Sequence, residues 1–456
     1  MRSKVLAVAV AAALGVTSFQ VAAAPQKNTG KVTVSSSELA EMRAQIAALQ
    51  AKVEELETKS DAQTDAQVQT SQSIADVQTK VATAKPSDDL SKRLDKLDKL
   101  VSNTKVGGTM FFDLTDIDHK EQVGTGPNRK VDGHGSVNGT GFDVKRFYLT
   151  VDHQFDDIWS ANLTTDFNYQ STLSQTSLFV KKAYVQGKFD PLLQLRFGAA
   201  DMPWIPFVEK WYGYRFLENT LTDRSIEGGR SGATATAGGV GAFGNSSDWG
   251  IHALGANTGD NSINYQLSVV NGRGYKNLTR SNNVDTEGRF GYSPIENMVI
   301  AVGGYQGKRG NDVENGAPTR DATRGDAMIA YRDKTFGFGG EYMTANNWDD
   351  VLRYAGTGPV PLSIKDKATG YSLWADWKFA EGFALFARYD KLDYKYYTVA
   401  NLQRKLNDKY YNAGVSYDVL KNLRLALAYK HNQLDGPVDA YTYKTNEIGF
   451  WGMLSF

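Results

Sequence analysis

The chain has 456 residues, and its 51 Lys and Arg residues balance 51 Asp and Glu residues, so the formal net charge is zero. A neutral chain lacks the basic excess of a nucleic-acid-binding protein. The absence of cysteine excludes disulfide bonds, thiolate zinc sites and cysteine nucleophiles. Mean hydropathy is −0.42, and after residue 21 no run of about 18 apolar residues predicts a membrane-spanning helix.

Residues 1–24 are predicted to be a secretory signal peptide. They have a basic start, a short apolar stretch at 5–16 and small residues that allow cleavage after Ala23 or Ala24. The alternative is an uncleaved transmembrane anchor, which the short apolar stretch and the absence of a positive flank argue against. We therefore expect an exported protein.

Residues 25–85 are predicted to form a periplasmic coiled-coil helix. Apolar residues recur at alternating steps of three and four, as in a coiled-coil seam: Leu39, Met42, Ile46, Leu49, Val53 and Leu56. The alternative is one amphipathic helix lying on a globular surface. Pro86 ends the helix, and residues 86–104 form a linker with a short helix. A coiled coil implies an oligomer, and we expect a homotrimer.

The period changes to two between residues 105 and 456. Near the end of the chain, Leu423, Leu425, Leu427 and Tyr429 alternate with polar or small residues, which is typical of outer-membrane strands. Sixteen such segments are predicted, near residues 105–115, 142–153, 159–169, 178–189, 192–200, 247–256, 261–271, 285–292, 298–307, 324–333, 335–344, 369–379, 383–393, 409–419, 423–431 and 445–456. An even number permits a closed antiparallel barrel, and closure is required because lipid offers no partner to an open strand edge.

The predicted connections alternate in length, from short turns such as 190–191 and 257–260 to long loops, of which 201–246 is the longest. Short turns are typical of the periplasmic side of such barrels. A soluble β-sandwich is the alternative, but its loops would not keep this rhythm. The predicted fold class is therefore all-β transmembrane, a 16-stranded antiparallel outer-membrane β-barrel preceded by an α-helical coiled coil, in a Gram-negative outer membrane.

Aromatic residues near the predicted strand ends indicate interfacial girdles that face lipid. They are Trp159, Phe167, Phe189, Trp249, Tyr292, Phe336, Tyr371, Trp377, Phe379, Tyr389 and Tyr429. The alternative for any one of them is packing beneath a loop.

Several short segments carry a family resemblance over about residues 105–456. They are Phe-Asp-Val-Lys-Arg-Phe at 142–147, Lys-Ala-Tyr-Val at 182–185, Leu-Arg-Phe-Gly at 195–198 with Met-Pro-Trp at 202–204, Asp-Trp-Gly at 248–250 and Val-Asn-Gly at 270–272. Their order and spacing resemble the phosphate-selective porin O and P family. The resemblance implies a homotrimer of 16-stranded barrels that passes small anions. Tyr148 stands where the family has a second arginine, and Ala200 or Asp201 where it has a lysine.

Basic residues on the predicted inward faces of the strands are candidates for lining the pore and binding anions. They are Arg146, Lys182, Lys188, Arg196, Arg289, Arg388, Arg424 and Lys430. Their field would draw anions into a narrow channel, and a guanidinium suits phosphate or carboxylate. Arg146 and Arg196 also match basic positions of the family. The alternative is that inward acids, such as Asp166 and Asp390, pair with these bases across neighbouring strands.

The longest loop is expected to fold into the lumen, as the resemblance implies, and to narrow the pore. It carries four basic candidates for the constriction, Lys210, Arg215, Arg224 and Arg230. The same loop carries five acidic residues, so it is not an anion trap by charge alone.

The sequence therefore predicts an outer-membrane porin, a passive diffusion channel for small hydrophilic solutes that prefers anions such as phosphate or organic carboxylates. The alternatives are a general non-selective or carbohydrate porin and, more remotely, a barrel-anchored structural protein tethered through its coiled coil. No enzyme is predicted, because five histidines occur without a nucleophile-elbow serine. The expected partners are outer-membrane lipid, further copies of the chain and small anionic solutes, with no cofactor, metal or nucleic acid.

Overall fold

The computed structural model describes residues 68–79, 101–123, 130–134, 138–170, 175–225, 242–258, 262–314, 319–348, 365–397, 403–436 and 442–456, with the single residues 52, 93, 94 and 97. The chain divides into two units, residues 1–93 and 94–456. In the first unit, residues 68–79 are helical and exposed. The predicted signal peptide and most of the predicted coiled coil lie outside the described residues. No helix among the described residues is both long and apolar enough to cross a membrane.

The second unit is built on one antiparallel sheet. Its described strands are β1 (Thr104–Val123), β2 (Lys130–His134), β3 (Gly139–Gln154), β4 (Trp159–Gln170), β5 (Gln175–Asp190), β6 (Leu193–Asp201), β7 (Ser247–Ala256), β8 (Ser262–Val270), β9 (Asp285–Ser293), β10 (Met298–Gly307), β11 (Ala322–Arg332), β12 (Phe336–Asn346), β13 (Lys365–Ala380), β14 (Phe383–Tyr397), β15 (Gln403–Leu420), β16 (Leu423–Asp435) and β17 (Tyr443–Ser455). Each strand from β4 to β16 pairs with the strand before it and the strand after it, as expected where short connections join antiparallel strands.

The sheet closes into a barrel of sixteen strands, because β1 pairs with both β3 and β17. The short β2 pairs with the outer end of β1. At the seam, the Gly108 N–H donates to the Phe456 carbonyl at 2.9 Å, and the Phe456 N–H donates back at 3.0 Å. A Cβ atom on Gly108 would lie 2.5 Å from the Phe456 ring, so the closure requires glycine there. The predicted fold class, a closed 16-stranded antiparallel barrel, is confirmed.

The barrel strands fall where the period-two pattern predicts them, and they differ mainly at the loop ends. β15 starts at Gln403 instead of near residue 409, and β1 continues to Val123 instead of ending near residue 115. These extensions are rich in charged and polar residues, so they lack the apolar alternation that predicts a membrane strand. The strand β2 was missed for the same reason.

The two faces of the barrel differ as expected for a membrane protein. In β13, Tyr371, Leu373 and Trp377 point outward and are exposed, while Trp374 and Asp376 between them are buried on the inside. Of the predicted girdle aromatics, Phe167 and Trp249 are half-buried and the others are exposed on the outer surface. A closed barrel with an apolar outer face satisfies every strand edge and suits an outer membrane.

The interior contains a packed core, formed by the chain between β6 and β7. We call residues 202–246 loop 3; its described parts are 202–225 and 242–246. It contains the helix α1 (Ile205–Tyr212), which starts with a proline in its first turn and ends at Gly213 with φ of 76°. Proline suits the first turn because backbone N–H groups there have no acceptor within the helix, so the N–H that proline lacks is not needed. Glycine tolerates the left-handed conformation that ends the helix.

Candidate functional site

Loop 3 is fixed inside the barrel by hydrogen bonds to buried carboxylates. The Trp204 backbone N–H donates to Glu287 at 2.9 Å, and its indole N–H donates to Glu341 at 2.8 Å. The Thr222 hydroxyl donates to the same Glu341 oxygen at 2.6 Å. Two separate points of the loop are therefore tied to one carboxylate on β12.

The apolar side of loop 3 packs against the inner wall. Tyr214 stacks on Phe386 with ring centroids 4.4 Å apart, and Tyr212 meets Trp374 edge-on at 6.0 Å. These four side chains are each no more than 5% exposed. Burial of aromatic rings excludes water and stabilises the packed state. We call the inward faces of β10 to β17 the covered wall, because loop 3 lies over them.

Ion pairs on the covered wall also hold the loop. Arg224 of loop 3 lies between Asp390 and Asp408, with its Nε 3.2 Å from the Asp390 carboxylate and its Nη2 bonded to Asp408. Arg388 pairs with Asp390 at 2.6 Å and donates to the Asn219 carbonyl at 2.6 Å. All four charged side chains are nearly inaccessible to water. A buried charge is tolerated only when it is paired, so this network neutralises the bases that we predicted to bind anions.

Two further predicted lumen bases on the covered wall are also neutralised. Arg424 pairs with Asp418 at 2.5 Å. Lys430 lies 2.6 Å from Glu447 and 3.4 Å from Glu218 of loop 3. Burial opposes ionisation of Glu218, but the nearby bases, Lys430 first, hold its pKa at about 2. The ion pair is therefore a permanent link between loop 3 and β16.

The opposite side of the lumen is different. We call the inward faces of β3 to β6 the open wall, because Asn162, Tyr184 and Gln186 keep partial contact with solvent there. Arg196 makes a 2.7 Å hydrogen bond to Gln186 and lies 4.9 Å from the Tyr184 ring centroid.

Of the other predicted bases on the open wall, Arg146 pairs with Asp166 at 3.0 Å and Lys182 with Asp201 at 2.6 Å. Lys188 is exposed at the short-turn end. The structure thus separates the strand candidates into paired bases and three, Arg196, Lys188 and Arg289, that have no carboxylate within 4 Å among the described residues.

The remaining candidates lie on or beside loop 3. Arg289 of β9 donates to the Pro203 carbonyl at 2.9 Å and lies 3.7 Å from the Phe207 ring centroid. Arg215 pairs with Glu209 at 2.5 Å and with Asp223 at 3.5 Å. Lys210 is exposed on α1. Arg230 lies outside the described residues.

Sequence reasoning missed two lumen lysines that β-bulges supply. Phe111 pairs with Arg146 and Phe112 with Val144, so Lys145 is an extra residue in β3. Thr164 pairs with Lys182 and Thr165 with Val180, so Lys181 is an extra residue in β5. A bulge breaks the period of two and lets adjacent residues share a face. The adjacent bases at 145–146 and 181–182 are the available sequence signal, since strict alternation would send one of each pair to lipid.

Within the described ranges, no group of three or more His, Asp or Glu side chains could hold a metal ion. His252, predicted to face the lumen, is buried with its Nδ1 atom 2.8 Å from the Ser268 hydroxyl.

Comparison with known proteins finds likeness at the level of structure. No protein-family model and no curated protein sequence matches the chain. The outer-membrane channel DcaP of Acinetobacter baumannii matches with a TM-score of 0.49 and 12% identity, over 77% of this chain and 97% of that one. An anion-selective porin from Comamonas acidovorans matches with a TM-score of 0.47 and 12% identity, over 77% and 99%. OmpT, an outer-membrane protein of Vibrio cholerae, matches with a TM-score of 0.43 and 14% identity, over 77% and 97%.

Proposed function

We propose that the chain is an outer-membrane porin, a passive channel for small hydrophilic solutes with a preference for small anions such as phosphate or organic carboxylates. The closed barrel supports a channel, because sixteen strands enclose more space than strand side chains alone can fill. Loop 3 fills part of that space and packs on the covered wall. The solute path in this proposal runs between loop 3 and the open wall.

The unequal pairing of charges is the observation that carries the anion preference. On the covered wall, Arg388, Arg424 and Lys430 each have a carboxylate partner. On the open wall, Arg196 and Lys188 have none among the described residues, while the acid Asp152 accepts a hydrogen bond from Asn162. Unpaired positive charges beside a narrow aqueous path concentrate anions there.

A carbohydrate porin is the less favoured alternative. Such a channel would need aromatic faces exposed to the solute, since sugars bind through contact with aromatic rings in a polar groove. Four aromatic residues of loop 3 turn the other way and are buried, namely Trp204, Tyr212, Tyr214 and Phe216, while Phe207 and Trp211 are half-buried. A general non-selective channel is the simplest alternative, and the ion selectivity of the channel distinguishes it from our proposal.

The test is the reversal potential of the purified protein in planar bilayers under a salt gradient, with chloride, phosphate and a dicarboxylate compared. We expect anions to be more permeant than the potassium counter-ion. Cation preference would contradict the proposal, and equal permeability would favour the general channel.

We also propose a homotrimer in the outer membrane of a Gram-negative bacterium, with the N-terminal coiled coil in the periplasm. The heptad pattern of residues 39–56 supports assembly through the helix. Deletion of residues 25–101 tests this directly. If trimers persist unchanged in detergent, barrel-to-barrel contacts assemble the protein instead of the helix.

A further inference from the structure

A cavity of about 150 Å³ lies between loop 3, the strands β3 and β5, and the loop that joins β8 to β9 (residues 271–284). Five basic side chains and one carboxylate line it: Arg146, Lys181, Arg215, Arg273, Lys276 and Asp223. The cavity therefore joins four segments that are separate in sequence, and its lining is strongly positive.

Two of these bases are already neutralised. Arg146 pairs with Asp166, which also accepts a 2.5 Å hydrogen bond from the Tyr275 hydroxyl. Arg215 pairs with Glu209 and more loosely with Asp223. The acids around the cavity are thus occupied by the arginines.

Lys181, the bulge residue of β5, is buried without such a partner. Its side chain and backbone together are 9% exposed, and its Nζ atom lies 4.5 Å from the Tyr148 ring centroid and 3.5 Å from the Tyr148 hydroxyl. Within the described part of the chain, no carboxylate oxygen comes within 4 Å of this ammonium group. An aromatic face stabilises a cation only partly, so this ammonium group depends on carboxylates beyond ion-pair distance, those of Glu209, Asp201 and Asp166.

Lys276 supplies a second charge without an ion-pair partner to the same cavity. Its Nζ atom lies 4.9 Å from the Phe179 ring centroid and 5.7 Å from that of Tyr275. Arg146 and Lys181 repel its charge, and the more distant carboxylates of Asp166 and Asp223 attract it. It, too, forms no ion pair among the described residues. Two neighbouring ammonium groups repel one another unless an anion lies between them.

The geometry points to a binding site for a small oxyanion with two negative charges, held by Lys181 and Lys276, that links loop 3 to β5 and to the β8–β9 loop. A water molecule occupies about 30 Å³ in the liquid, so the cavity has room for an anion of a few heavy atoms. Two negative charges match the two unpaired ammonium groups, and several oxygens can accept charge-assisted hydrogen bonds from them. The bound anion stabilises the placement of loop 3, a role that goes beyond selecting which solutes pass.

The experiment measures thermal unfolding and calorimetric binding of the purified full-length protein in detergent. Inorganic phosphate and succinate are titrated separately, to distinguish a phosphate-type from a dicarboxylate-type ligand, against sodium chloride at matched ionic strength. We expect one of the two dianions to raise the unfolding temperature above the chloride control, because a ligand that binds only the folded state stabilises it.

Three lysine-to-methionine variants sharpen the result. Lys181→Met and Lys276→Met keep the length of the side chain and remove the charge, and each should weaken dianion binding by about tenfold or more. Lys421→Met removes an exposed lysine from the turn between β15 and β16, which does not line the cavity, and should bind as the wild type does. Lys276 lies on a loop, so its variant tests the site even if Lys181→Met does not fold.

Two results would overturn the inference: no dianion stabilises the wild type beyond chloride, or both Lys181→Met and Lys276→Met bind as tightly as Lys421→Met. Channel selectivity is measured separately in bilayers. Loss of anion preference with intact dianion binding would defeat the proposed function and leave this site standing.

Discussion

The two walls of the barrel interior both carry arginine, but the arginines of the covered wall are paired with carboxylates and Arg196 of the open wall is not. On the covered wall, Arg224, Arg388 and their acids Asp390 and Asp408 form a closed, buried network that fixes loop 3. On the open wall, Arg196 is half-buried and hydrogen-bonded to an amide, so its charge still acts on the lumen. The comparison teaches that a lumen-facing arginine in the sequence does not by itself indicate an anion site, because a carboxylate on the same face can neutralise it.

The largest loss of stability should follow from breaking the buried ion-pair network on the covered wall. Arg224→Met leaves Asp390 and Asp408 competing for Arg388, and loss of one partner of a buried ion pair costs about 3 to 5 kcal/mol. We expect a lower free energy of unfolding in urea and a larger, noisier single-channel conductance, because loop 3 would no longer be held against the wall. Lys210→Met, on the exposed side of α1, is the control. Unchanged conductance in Arg224→Met would show that this network does not position the loop.

A smaller loss of stability is expected when the hydrogen bond from Trp204 of loop 3 to Glu341 is removed. Trp204→Phe removes the indole N–H that donates to Glu341, while the Thr222 hydroxyl still donates to it. Loss of one hydrogen bond to a buried carboxylate costs about 1 to 3 kcal/mol. Urea unfolding should show this loss, and Trp211→Phe, at a half-buried tryptophan of the same helix, should remain near the wild type. Equal stability of the two variants would argue against the anchor.

On the open wall, substitution should alter selectivity instead of stability. Arg196→Ala removes an unpaired charge beside the proposed path and should move the reversal potential towards a non-selective value. The free energy of unfolding should change by about 1 kcal/mol or less, since one hydrogen bond to an amide is lost. An unchanged reversal potential would remove Arg196 from the set of selectivity residues.

The smallest expected change is a shift of the channel's chloride preference with pH. Burial raises the pKa of Asp223 to about 6, even though Arg215 is nearby. As the pH falls from about 7.5 to 5, this carboxylate takes up a proton and loses its negative charge, so chloride preference should increase slightly. Asp223→Asn should already show the stronger preference at neutral pH and a weaker dependence on pH. A wild-type preference that falls on acidification would contradict this assignment.

The sequence predicts the barrel well because one physical constraint, lipid outside and water inside, repeats in every strand. It predicts which bases face inward for the same reason. It does not predict which of them are paired, because the partners come together only through the closed barrel: Arg224 and Asp408 are 184 residues apart. A strict period of two also does not predict that Lys145 and Lys181 face inward, because each lies at a β-bulge. Lys276 lies on the β8–β9 loop, where the sequence has no periodic pattern from which its position could be predicted.

The central claim is that solutes pass along the open wall and not along the covered wall. Because the chain has no native cysteine, single cysteines can be placed at Thr150 of β3, half-buried on the open wall, and at Ser372 of β13, which is 1% exposed on the covered wall. A negatively charged thiol reagent is then added while the single-channel current is recorded. We predict that the current falls for Thr150→Cys and stays constant for Ser372→Cys; block at Ser372→Cys with none at Thr150→Cys would contradict the account.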